Sequence, residues 1–221
     1  MADVQLDVPT IVIPYRNRQD HLDCVLARFK RFPVIVVEQC DTHLFNRGAL
    51  LNAGYIKARQ DGAYRVILHD CDLVPDDTLL QMYQEHWPRP VVHFGARFKR
   101  YNNCKHYFGG VHGFTAGHFP GFPNKFWGWG GEDDALRKRV DLHNTTYAKH
   151  GEYCDLEGYS SAKEKLRHLP PQQRCQTKYE LLAADTQATD NHHHGTPHAT
   201  IHWSQQNALV TWGCITFRHT A

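Results

Sequence analysis

Four short apolar runs, set among helix-patterned stretches, restrict this chain to one fold class. Thr10 to Pro14, Val34 to Val37, Arg65 to Leu68 and Val91 to Phe94 each suit a buried strand and are too short for a helix. Between them, Arg18 to Arg31 carries Leu22, Val25, Leu26 and Phe29 at helical spacing. Asn46 to Ala58 does the same with Leu50, Leu51 and Tyr55, and Asp76 and Asp77 open a helix through Leu79, Leu80 and Tyr83. Strands alternating with helices at this rhythm predict an α/β fold, a mostly parallel central sheet flanked by helices.

The second half is less regular. Lys105 to Pro123 is rich in glycine and aromatics. Tyr159 to Cys175 is polar, holds Pro170 and Pro171, and reads as a mobile loop. Lys178 to Ala184 reads as a short helix, and Ala199 to Trp203 and Ala208 to Phe217 as closing strands. The triplet His192 to His194 reads as a surface loop. No repeat or linker divides the 221 residues, so a single domain over 1–221 is expected.

Charge narrows the partners. The formal net charge is +2, from 25 basic and 23 acidic residues, with no basic block, which speaks against nucleic acid. The seven cysteines are scattered and lack a C-x-x-C pair, so free thiols in a reducing compartment are expected. No apolar run approaches the length of a membrane span, and Met1-Ala2-Asp3-Val4 lacks the basic and apolar regions of a signal peptide. The chain as written is expected to be cytoplasmic.

The chemistry concentrates in Phe126-Trp127-Gly128-Trp129-Gly130-Gly131-Glu132-Asp133-Asp134. Three carboxylates in a row are costly to bury unless something pairs with them. The glycine-tryptophan lead-in supplies backbone freedom and an indole face, and sugars need both a flat apolar platform and carboxylates to accept from hydroxyls. The run also suits an acidic helix start ahead of Ala135 to Val140; the two readings are compatible. His69-Asp70-Cys71-Asp72 follows a strand, where α/β sheets bind ligands, and two aspartates one residue apart can hold a divalent metal through hard oxygens. Pro14-Tyr15-Arg16-Asn17-Arg18 puts two arginines at another strand end, suited to planar or anionic groups. Phe45-Asn46-Arg47 puts a cation at a helix N-terminus, against the dipole, which calls for an anionic or polar partner. In Tyr107-Phe108-Gly109-Gly110-Val111 the paired glycines admit a close approach that Tyr107 can cover.

These five segments, in this order from about Ile11 to Asp134, resemble the β-1,4-galactosyltransferase family, with Cys71 in place of the family's valine. The C-terminal third matches poorly. The resemblance implies a GT-A-like fold whose residues 1–100 bind the nucleotide and whose residues 101–221 form a less regular sugar, acceptor and metal half. It implies an inverting transfer of galactose from UDP-galactose to a carbohydrate acceptor hydroxyl, β-1,4-linked, with manganese or, alternatively, magnesium. Pro14, Arg16, Arg18, Arg47, Asp70, Asp72, Tyr107, Gly110, Trp129 and Glu132 would line the donor site. Trp129, Asp133 and Asp134 would meet the acceptor. Inversion needs one base opposite the leaving group; the resemblance gives that role to Asp133, with Glu132 as the rival. Asp72 would ligate the metal. The family's further ligands, His-x-His or Met-x-x-His, have no counterpart here, and Asp155 and Glu157 at the same spacing are the expected replacements, with His150 the alternative. The segment near 156–176 would be the family's closing loop. The Golgi lumen is the alternative location if the chain is a trimmed piece of an anchored enzyme. Rival readings are a UDP-GalNAc or UDP-GlcNAc donor, a non-catalytic nucleotide-sugar or carbohydrate-binding module, and a metal-dependent hydrolase.

Overall fold

The computed structural model describes residues 8–101, 104, 106–185 and 199–218. The strands are β1 (Thr10–Tyr15), β2 (Val34–Gln39), β3 (Arg65–His69), β4 (Leu73–Pro75), β5 (Val91–His93), β6 (Val111–Thr115), β7 (Thr145–Tyr147), β8 (Tyr153–Asp155), β9 (Ala199–Gln205) and β10 (Val210–Phe217). The helices are α1 (Gln19–Leu26), α2 (Arg47–Gln60), α3 (Asp77–Gln84), α4 (Glu132–Arg139), α5 (Ala162–His168) and α6 (Lys178–Ala184).

Eight strands form one twisted sheet in the order β7-β5-β6-β3-β1-β2-β10-β9. β3, β1, β2 and β10 run parallel at its centre, while β6 and β9 run antiparallel to their neighbours. Alternation along β1 decides which helix lies on which face. Ile11 and Ile13 pack with Leu22 and Val25 of α1 and Leu79 of α3, whereas Val12 packs with Leu50 and Leu51 of α2 and Leu136 of α4. After β1 the chain moves to β2 on one side, and after α2 it returns to β3 on the other. The reversal opens a crevice at the carboxyl ends of β1 and β3, the usual ligand position in such sheets.

Several expectations change. The helix expected over Arg18 to Arg31 stops at Leu26. β6 lies within the glycine-aromatic segment, where Gly113 and His112 interrupt the apolar pattern that marks a strand. Tyr159 to Cys175, expected as a loop, contains α5, started by Ser161 accepting from the Glu164 amide, and a 3-10 turn at Pro171–Gln173. The cysteines are not all free: Cys40 and Cys214 form a disulfide. β2 and β10 are neighbours with Glu38 opposite Cys214, which brings the two cysteine Cα atoms to 5.8 Å, within the span of such a bond. The thiol argument for a reducing compartment therefore falls away. His192 to His194 lie outside the described residues. Among the described residues no helix is long and apolar enough to cross a membrane.

Candidate active site

Arg47 is the first residue of α2, just after Asn46, whose side chain accepts from the Ala49 amide and starts the helix. Its guanidinium faces the crevice, not bulk water. Nε donates to Asp70 Oδ1 at 2.6 Å, Nη1 to Asp133 Oδ1 at 2.8 Å, and Nη2 to the Gly110 carbonyl at 3.3 Å. Nη1 also lies 3.7 Å from Glu132 Oε1. One buried cation thus ties the end of β3 to the start of α4 and brings Asp70 together with Glu132 and Asp133.

α4 begins at Glu132 because the chain turns sharply at Gly131, whose φ of 100° is disfavoured for any residue with a Cβ. Glu132 is buried, Asp133 is partly covered, and Asp134 is exposed at the mouth. Burial raises the pKa of Asp133 well above the ordinary carboxylate range; Arg47 pulls it down, but Glu132 and Asp70 push it up again. Glu132 is raised for the same first reason, burial, against the pull of Arg47. Burial also opposes the charge on Arg47, but its three carboxylates outweigh it and hold the guanidinium ionised.

A second ionic group adjoins the first. Asp72 accepts from Arg18 Nη1 at 3.2 Å. β4, which follows Asp72, pairs antiparallel with β8 so that Leu73 sits opposite Asp155, and this register delivers Asp155 and Glu157 beside Asp72. Arg100 holds both Asp155 oxygens at 2.5 Å and Glu157 at 2.6 Å. Glu157 also accepts from Arg18 at 2.9 Å and from Lys165 of α5 at 2.6 Å. Burial would raise the Glu157 pKa, but Lys165, Arg18 and Arg100 bring it down to about 2. Burial, with Asp70 and Glu157 nearby, lifts Asp72 to about 6.

The other expected positions divide. Pro14 is buried within β1. Arg16 turns away from the carboxylates, donates to the His43 carbonyl at 2.6 Å and lies 5.3 Å above the Phe45 ring. Tyr107 stacks on Tyr101 with ring centres 4.0 Å apart, and burial raises the pKa of both phenols. Trp129 is clipped to the later loop: its amide donates to the Gln173 carbonyl, its carbonyl accepts from the Cys175 amide, and Lys165 sits 5.6 Å from its ring. Arg100, Lys165 and Tyr101 are absent from the sequence reading. Each comes from a segment with no motif of its own.

Models of two protein families match the chain: the N-terminal region of glycosyl transferase group 7 over residues 5–84 and the N-terminal domain of galactosyltransferase over residues 89–168. Among curated relatives, β-1,4-galactosyltransferase 6 of Rattus norvegicus is 38% identical over 166 residues, 68% of this chain and 42% of the relative. β-1,4-galactosyltransferase 4 of Homo sapiens is 40% identical over 148 residues, 60% of this chain and 42% of the relative. The chain belongs to the β-1,4-galactosyltransferase family. The matches span about two-fifths of these relatives' length. Across nearly the whole fold the likeness is to the catalytic domain of Drosophila β-1,4-galactosyltransferase 7. Its complex with xylobiose gives a TM-score of 0.68 at 22% identity, covering 95% of this chain and 94% of that one. A mutant of the same enzyme, in complex with manganese, UDP-Gal and xylobiose, gives 0.70 with the same coverage. These likenesses establish the GT-A galactosyltransferase fold for this family member.

Proposed function

We propose that this chain is an inverting galactosyltransferase domain that moves galactose from UDP-galactose to a hydroxyl of a carbohydrate acceptor, forming a β-1,4 bond. The observation that carries this reading is the bridge from Asp70 through Arg47 to Asp133, because it puts the donor-side acids and the candidate base in one pocket. Asp133 takes the acceptor proton as the new C–O bond forms. Its raised pKa makes it a stronger base than an ordinary carboxylate while Arg47 keeps its charge tolerable. Glu132, deeper on the same helix turn, binds galactose hydroxyls, and Asp134, exposed at the mouth, orients the acceptor beside Trp129. Tyr107 and Tyr101 wall the sugar. Arg16 and Phe45 lie at the nucleoside end of the crevice, and Arg18 faces the diphosphate.

A divalent ion, manganese or magnesium, fits the donor chemistry of Asp72. Such ions bind through one or two carboxylates and substrate phosphates without needing a cage of protein ligands. Among the described residues no three His, Cys, Asp or Glu are arranged to hold a metal, so Asp72, Asp155 and Glu157 do not stand as a ready-made ligand set. Asp155 and Glu157, as second and third ligands, would have to part from Arg100, Arg18 and Lys165. Bound there, the ion supplies charge neutralisation for the departing diphosphate. The manganese, UDP-Gal and xylobiose in the complex of the Drosophila relative support the choice of metal, donor and acceptor class.

The test is UDP release from UDP-Gal, UDP-GalNAc and UDP-GlcNAc against glucose, xylose and β-linked N-acetylglucosamine acceptors, with and without Mn²⁺. Acceptor-dependent release from UDP-Gal is expected. Faster turnover of an N-acetylated donor would overturn the galactose assignment, and UDP binding without transfer to any acceptor would favour a binding module.

A further inference from the structure

Two histidines lie beneath the Tyr107-to-Gly110 loop, and none of the roles above uses them. His93 ends β5 and His112 sits opposite it on β6. Both are fully buried, and their rings stack with centres 4.9 Å apart and planes 13° from parallel. His93 Nε2 lies 2.9 Å from the Gly109 carbonyl oxygen. A carbonyl only accepts, so Nε2 carries the proton and Nδ1, which has no hydrogen-bond partner among the described residues, is the bare nitrogen. Burial lowers the His93 pKa to about 4, so the ring is neutral and this tautomer is the working one. The second lone pair of the Gly109 oxygen accepts from the Val111 amide at 3.1 Å.

Gly109 touches the reaction centre on its other side. A Cβ at this position would stand 2.6 Å from Asp133 Oδ2 and 2.8 Å from Tyr107 Cε2. Its neighbour Gly110 gives its carbonyl to Arg47, which grips Asp133 Oδ1. Arg47 therefore holds one oxygen of the carboxylate, and the other occupies the space that a side chain at Gly109 would fill.

We propose that His93 is a positioning residue for the transfer: by donating from Nε2 to the Gly109 carbonyl it fixes the backbone wall against which Asp133 and Tyr107 are set. The inference rests on the reading of Asp133 as the base. A glycine pair lacks side chains to hold it, so an outside donor is needed to keep this wall in one position. His112 stacks on the ring and keeps it from swinging away from the carbonyl.

The test compares His93→Leu and His93→Gln with the wild-type chain. Gln presents an amide nitrogen where Nε2 stood and keeps the bond, whereas Leu keeps the apolar volume and loses it. In His93→Leu, kcat should fall roughly tenfold or more with the KM for UDP-galactose within about twofold, as misplacement of a catalytic group demands. Most of kcat should return in His93→Gln. A Leu variant with wild-type kcat, or a soluble Gln variant as impaired as Leu, overturns the proposal. Nitrogen NMR of the wild-type His93 ring supplies an arm independent of activity and of how the variants fold. A protonated Nε2 with a bare Nδ1 is expected, and a protonated Nδ1 overturns the proposal. If the wild-type chain transfers no sugar, the galactosyltransfer reading falls, and the NMR arm still decides whether His93 holds Gly109.

Discussion

The two ionic groups of the crevice contrast in how well their charges match. Around Arg47, one guanidinium serves three carboxylates, Asp70, Glu132 and Asp133. Around Glu157, the cations Arg18, Arg100 and Lys165 face Asp72, Asp155 and Glu157 in equal number. Burial raises proton affinity at Asp133 and Glu132 and their one shared cation does not offset it, while at Glu157 the pull of Lys165, Arg18 and Arg100 outweighs burial and drives it the opposite way. The first group suits the proposed proton transfer; the second ties Arg18 and Arg100 to β8 and α5. Asp72 stands between them, close to Asp70 as well as to Arg18, and its pKa of about 6 reflects both neighbours after burial.

The largest effect tests the under-neutralised group. Asp133→Asn removes the proposed base and should lower kcat by about 10²- to 10⁴-fold with the fold intact, measured by UDP release. Near-normal turnover would transfer the base role to Glu132. Arg47→Met leaves three carboxylates without their shared cation and should cost about 3–5 kcal/mol of stability at neutral pH, read from urea unfolding. The deficit should shrink as pH falls, because Glu132 and Asp133 have raised proton affinity and lose their charge early, and a pH-independent deficit would mean that Arg47 matters through packing instead.

Acid titration sharpens the contrast because Glu157, inside the matched group, and Asp72, at its border with the Arg47 group, shift in opposite directions. Glu157 is depressed from 4.5 to about 2, so its stabilisation is present above about 4.5 and is lost as pH falls through about 2. Asp72 is raised from 3.8 to about 6, so it destabilises the fold above about 6 and that penalty disappears as pH falls to 3.8. Glu157→Gln should therefore flatten the unfolding profile below pH 4.5, and Asp72→Asn should flatten it between pH 4 and 6; the reverse assignment would break the comparison. The smallest effect belongs to Lys165→Met. It deletes one of three cations on Glu157 and the contact with Trp129, and, with Arg18 and Arg100 still in place, should cost about 1.5–3 kcal/mol in thermal melts. A loss as large as that of Arg47→Met would show that the matched group is the more tightly coupled of the two.

Legibility in the sequence followed the length of the contiguous pattern. β1, β2 and β3 are uninterrupted apolar runs, and the acids at 70–72 and 132–134 sit in continuous motifs, so both were readable. β7 and β8 are three residues each, too short to show a period. β6 was hidden by His112 and Gly113, the residues that its crowded position demands. Arg100 could not be foreseen. Its match with Asp155 depends on the pairing of β4 with β8 and on a 3-10 turn that brings the guanidinium within reach, and neither is written in local spacing. Asp155 and Glu157 show the converse: their spacing was visible in the chain, but the cations that engage them were not.

The place of β10 in the sheet bears on how the molecule is made. The strand lies parallel beside β2, and the Cys40–Cys214 bond closes a separation of 174 residues. While a ribosome is still synthesising the chain, β2 has an open flank until Val210–Phe217 emerge. Bare strand flanks invite pairing with foreign chains. Nascent molecules stalled before Val210 therefore keep the flank of β2 bare, and folding helpers have a target there.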